Sequence, residues 1–194
     1  MAGHFEPLPG GGAAVALDDV EISILRSLAV QLMELIGPGD EPAADADPLA
    51  ALFAEGPSEP PSDPALRRLF PDAYGDDSEE LRAAASDFRR YTENDLRARK
   101  REDALVVVRA LDSLSAEAAG EGGAVLKLTL DESRAWLGAL NDLRLTIGTR
   151  LEVTDDEDSE QLYRLPDSDP RKPMVMAYLW LGALQESLVA TLMA

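Results

Sequence analysis

Seven of the thirteen prolines crowd into residues 37–64, and this stretch constrains the fold more than any other feature. Proline removes a backbone donor and clashes with the preceding helical turn, so no long helix crosses such a segment. The same 28 residues carry seven acids and no Lys or Arg. Net charge and poor hydrophobicity together favour an acidic linker or extended loop, with only residues 49–54 suited to a helical turn. The chain is thereby divided into a short N-terminal part and a longer C-terminal part, each with apolar residues at helical spacing.

In the N-terminal part a Pro-Gly-Gly-Gly turn precedes the apolar run Ala13 to Leu17. Asp18 with Glu21 three residues on forms an acidic capping box. Val20, Ile24, Leu28 and Leu32 then recur at steps of four up to the stop at Gly37-Pro38. The plan returns at 120–148: glycines, an alternating run from Val125 to Leu130, Asp131 as the expected cap, then Trp136, Leu140, Leu143 and Ile147 before Gly148. A strand–helix unit used twice predicts two strands that pair. Between the units, Asp63-Pro64 opens a short helix to Phe70. A helix over 78–91 follows, and Thr92 with Asp95 predicts a fresh cap and a further helix to Leu114, buried through Leu105, Val108, Leu111 and Leu114. A second acidic loop spans 154–173. The last helix, 174–192, is lined by Trp180, Leu184, Leu188 and Leu192. Its sparse polarity makes it either central to the core or shared with a second copy. The expected fold is mostly α: about six helices in one bundle-like domain over residues 1–194, with a minor two-stranded β element.

Composition removes whole classes of function. With no Cys there is no disulfide, thiolate metal site or thiol nucleophile, and the single His is at position 4. The acids at 155–160 fail the calcium-loop spacing, with Glu160 at its sixth position and Pro166 at its twelfth. Phosphate-loop, dinucleotide and nucleophile-elbow motifs are missing. The expectation is therefore no catalytic residue, no cofactor and no metal. Residues 1–12 lack Lys, Arg and an apolar run, and the longest apolar stretch, 174–184, is short of a membrane span. A cytoplasmic protein without membrane contact is the expectation.

The charge is −19, from 18 basic and 37 acidic residues, which opposes indiscriminate binding of nucleic acid. It is unevenly placed. Residues 67–109 hold ten of the basic residues and ten acids, so that segment is neutral. Arginine forks suit bidentate acceptors, and Arg89, Arg90, Arg97, Arg99, Lys100, Arg101 and Arg150 are the candidate partner-binding residues. The polar first half of the helix that follows Thr92 is expected to lie exposed or to reach between partners. The alternative use of these cations is internal, in ion pairs with Asp87, Glu93 or the acidic loops.

Four phrases in order, LRRLFPDAY (66–74), FRRYTENDLR (88–97), LNDLRLTIGTRLEVTDDED (140–158) and YLWLGALQESLV (178–189), resemble an actinobacterial domain-of-unknown-function family, number two thousand and seventeen. The resemblance runs from the glycine turn to the C-terminus, while residues 37–64 look like an insertion. Genes of that family often lie near those of the ClpS protease adaptor and of a metalloprotease and sulfur-carrier pathway. The resemblance thus implies a place in regulated proteolysis, sulfur metabolism or stress response. It assigns no catalytic residue, and thiol-based sensing by cysteine-bearing relatives cannot carry over.

Together these readings predict a non-enzymatic regulatory or adaptor protein that binds another protein, with a homodimer through the C-terminal helix as one form of contact. The rival reading is a transcription regulator that touches DNA or the transcription machinery through residues 89–101.

Overall fold

A computed structural model describes residues 3–37, 56–75, 77–117, 123–154, 162 and 164–193. Most of the Pro-rich stretch and the acids at 155–160 lie outside the described residues. Within them the chain forms strands β1 (Glu6–Pro7), β2 (Ala13–Leu17) and β3 (Ala124–Leu128) and helices α1 (Asp19–Ile36), α2 (Pro64–Leu69), α3 (Glu79–Glu117), α4 (Leu130–Arg150) and α5 (Lys172–Leu192). The fold is mostly α, as expected, with five helices among the described residues.

The two apolar runs do pair. β2 and β3 are antiparallel, with Ala13 opposite Leu128 and Leu17 opposite Ala124. The sheet has one strand more than expected, because Gly10, Gly11 and Gly12 all take φ between 91° and 97° and turn β1 back onto β2. A side chain at Gly12 would also place its Cβ 2.2 Å from the Leu128 carbonyl oxygen. Ala13, Val15 and Leu17 bury one face of the sheet with Leu126 and Leu128, the alternation that a half-buried strand requires.

Each long strand hands over to a helix through a capping box. At α1 the Glu21 N–H donates to Asp18 at 2.8 Å and the Asp18 N–H donates to Glu21 at 3.0 Å, as its sequence predicts. At α4 the cap is Thr129 rather than Asp131, closed by Glu132. The ladder to Ala13 keeps the backbone extended as far as Leu128, so the first residue free to cap is Thr129. Asp131 instead pairs with Arg134 inside the first turn.

The buried stripe of α1 is rotated from the expected one. Ile22, Leu25, Ala29, Leu32 and Ile36 face the core, whereas Val20 and Ile24 are exposed. The exit angle from β2, set by the capping box, decides which face meets α3. The helix expected to restart at Thr92 never stops: α3 is continuous over 39 residues, about 58 Å of helix. The Thr92 hydroxyl donates to the Phe88 carbonyl one turn back, at 2.7 Å, instead of capping.

The core is one connected cluster in which Trp136, Leu140, Leu143 and Ile147 of α4 meet Val107, Leu111 and Leu114 of α3. α5 contributes Val175, Leu181, Leu184 and Leu188, while Trp180 and Leu192 are only partly buried. By length and composition α5 could cross a membrane. Four of its residues, Val175, Leu181, Leu184 and Leu188, are buried in the core, and it has ties to the N-terminal segment. Those ties are Phe5 N–H to Ser187 Oγ at 3.0 Å and Thr191 Oγ1 to the Phe5 carbonyl at 3.3 Å.

Gly12→Ala forces an L side chain into a strained φ against a strand carbonyl. The expected loss is about 1–3 kcal/mol, read as a lower urea midpoint, whereas Gly37→Ala, in open space, shows the φ penalty without the clash.

Candidate interaction surface on the long helix

The N-terminal half of α3 has an inner and an outer face, and the arginines are divided between them. Arg89, Glu93 and Arg97 stand at successive four-residue steps and all three are buried. The Arg97 Nε donates to Glu93 Oε1 at 2.9 Å and its Nη2 to the same oxygen at 2.7 Å. Arg89 takes the other carboxylate oxygen through Nη1, and its Nη2 donates to the Phe70 carbonyl and to Asp72 Oδ1, each at 2.9 Å. The remaining arm of Arg97 reaches the carbonyl of Ile36, the last residue of α1, and its guanidinium lies 4.4 Å over the Phe70 ring. A cation at a helix C-terminus is favoured by the exposed carbonyls there. This cluster therefore joins α1, the end of α2 and α3.

Burial works against the charge of Arg89, but its bonds to Asp72 and Glu93 and their negative charges outweigh it and hold the guanidinium above its ordinary value. One turn further on, Lys100 Nζ meets Asp142 Oδ1 of α4 at 2.6 Å. Asp142 is buried, and desolvation pushes its carboxyl above the usual range despite the Lys100 ammonium that pulls it down. Arg150, at the end of α4, pairs with Asp63, the N-cap of α2, at 2.6 Å and holds that carboxyl below its ordinary value.

The half-helix expected to be exposed or partner-reaching is exposed only in part. Arg89, Arg97 and Lys100 face inward to Glu93, Asp72 and Asp142, and Arg150 holds α2 against α4. Arg90 stands 3.8 Å from Asp87 and is half-buried, as is Arg101, while Arg99 is exposed. The physical reason for Arg89, Arg97 and Lys100 is supply: the fold provides the buried carboxylates Glu93 and Asp142 at their spacing, and a desolvated pair excludes outside acceptors.

The opposite side carries exposed aromatic residues among charged ones such as Asp87, Asp95 and Arg99. Phe88 is 49 % exposed and Tyr91 67 % exposed, with Leu81 and Leu96 also open on α3. Tyr74, from the segment before α3, sets its ring edge-on to Phe88 with centroids 6.3 Å apart. Tyr74, Phe88, Tyr91 and Leu96 lie in two of the phrases quoted above, where charged neighbours surround them along the chain. The Arg-x-x-x-Glu-x-x-x-Arg spacing was the available signal that one carboxylate can pair with both cations.

These features belong to a defined family. The chain is a member of the family described as "Domain of unknown function (DUF2017)", which matches residues 2–192. It is 32% identical over 177 residues to the "Putative oxidative stress regulator AosR" of Mycobacterium leprae, across 90% of this chain and 79% of that protein. It is 31% identical over 176 residues to the "Oxidative stress regulator AosR" of Mycobacterium tuberculosis, strain H37Rv, across 89% of this chain and 78% of the relative. No solved structure matches it.

Two outcomes follow from the buried ions. Glu93→Ala leaves two buried guanidinium groups without their shared acceptor and is expected to lower stability by about 3–5 kcal/mol in chemical denaturation. For Asp142, a folded value above the unfolded one means its contribution is present below about pH 4 and is lost as pH rises through the folded value. Asp142→Asn removes that slope, so denaturation at acid and neutral pH should show the variant gaining on the wild type as pH rises.

Proposed function

We propose that this protein is a non-enzymatic cytoplasmic regulator of the stress response that works by binding another protein through the outer face of α3. The names of its relatives support the regulatory and stress-response part of this reading. The observation that carries the mechanism is the exposed group Leu81, Phe88 and Tyr91 on α3, with Tyr74 of the preceding segment set edge-on to Phe88. Large aromatic side chains supply contact area at low entropic cost and dominate the energetics of protein interfaces. The ion cluster beneath holds that helix in place, so the surface is preorganised.

Direct contact with DNA through residues 89–101 is the weaker reading. The charge of −19 repels phosphate at long range, and Arg89, Arg97 and Lys100 already have buried carboxylate partners.

Affinity capture from the native cytoplasm tests the proposal, with identification of what is retained. A regulatory partner held by the wild type should lose about tenfold or more of its binding to Phe88→Asp/Tyr91→Asp at unchanged helicity. Equal capture by both would overturn the assignment of this surface. Titration of a random duplex at low salt should show no binding, and salt-sensitive binding would restore the DNA reading.

A further inference from the structure

The chain has five methionines and no cysteine, so thioether is the only sulfur chemistry it possesses. Three of them, Met174, Met176 and Met193, are exposed, and all belong to α5 or its C-cap. Met33 is instead packed against the core. Met174 lines a cleft of about 420 Å³ between α1, α4 and α5, beside Leu28, Leu32, Leu143, Ile147 and Ala177. The turn that carries Met174 and Met176 starts from a local anchor at Asp169, which accepts the Arg171 N–H at 2.8 Å, pairs with the Arg171 guanidinium at 3.0 Å and takes the Lys172 N–H on its carbonyl at 2.9 Å. Arg171, at its N-cap, makes no side-chain capping bond. The turn is held by buried Val175, whose N–H donates to the Arg171 carbonyl at 3.0 Å, and by Lys172 Nζ, which donates to the Leu165 carbonyl at 2.7 Å.

We propose that Met174 and Met176 form an oxidant-responsive modification site at which hydroperoxides convert the thioethers to sulfoxides and loosen the first turn of α5. The sulfur lone pair takes the distal peroxide oxygen, so an S–O bond forms as the O–O bond breaks. The proton on that oxygen passes to the leaving oxygen. Sulfur is oxidised, and the peroxide is reduced to water, or to an alcohol if it is organic. The product is polar where the thioether was apolar. At the edge of a leucine-walled cleft a sulfoxide turns to water, and the wall loses the cover that Met174 provides. The inference rests on the stress-response reading for its biological meaning. Its chemistry is measured on the isolated chain, so it fails separately from the partner surface on α3.

The test treats the purified full chain with hydrogen peroxide and follows both peptide mass and amide hydrogen exchange. Met174 and Met176 should each gain one oxygen before Met33 does, and the amides of residues 175–178 should exchange about tenfold faster. Met193, 82 % exposed, serves as the internal control: it oxidises as an exposed methionine without changing exchange elsewhere. Met174→Leu/Met176→Leu keeps the apolar volume and should hold slow exchange in peroxide. Reduction of the wild-type sulfoxides by methionine sulfoxide reductases should restore slow exchange, a reversal that needs no variant. Oxidation of Met33 at the same rate, unchanged exchange after oxidation, or equal opening in the double variant would each overturn the proposal.

Discussion

One carboxylate holds this architecture in register. Glu93 sits between Arg89 and Arg97, and through them it is connected to the last carbonyl of α1, the Phe70 carbonyl and ring at the end of α2, and Asp72. Buried ion clusters of this kind add little net stability compared with apolar packing, because desolvation offsets their attraction. Their effect is on geometry. Apolar contacts between α1 and α3 tolerate sliding, whereas a guanidinium bound to a particular helix-terminal carbonyl does not. The N-terminal half of α3 is far more polar than its C-terminal half, and the cluster supplies the order that leucines supply further along.

That internal use of charge changes what the surface offers. With Arg89, Arg97 and Lys100 turned inward, α3 presents Phe88, Tyr91 and Leu96 outward, together with Arg99. A stretch that reads as cationic along the chain turns much of that charge inward in space and leaves aromatic side chains among its exposed residues. The same inversion occurs at Arg150, whose guanidinium ties the end of α4 to the start of α2 and so fixes where the short helix lies.

Much of the fold was legible in the residues. Asp18 with Glu21, Asp63 with Pro64, and the stripe of Trp136, Leu140, Leu143 and Ile147 all act as their spacing suggests, because caps and amphipathic stripes are local properties. The errors arose where tertiary contacts overrode a local signal. Thr92 has the chemistry of a cap, but Glu93 beside it pairs one turn in each direction and keeps the helix continuous. Val20 and Ile24 have the right period for a buried stripe, yet the strand that precedes them aims another face inward. Tyr74 and Phe88 were the hardest to see, since their contact joins two segments and neither sequence phrase reveals it.

By itself the sequence determined that this chain is helical and cysteine-free, that its acidity is segregated, and that its two glycine-led apolar runs are strands. Those properties follow from backbone propensity, side-chain chemistry and period, which need no knowledge of neighbours. Only the tertiary structure decided which charges are surface and which are scaffold. Whether a guanidinium meets water or a carboxylate depends on what the rest of the chain brings within about 3 Å of it, and no local pattern encodes that distance.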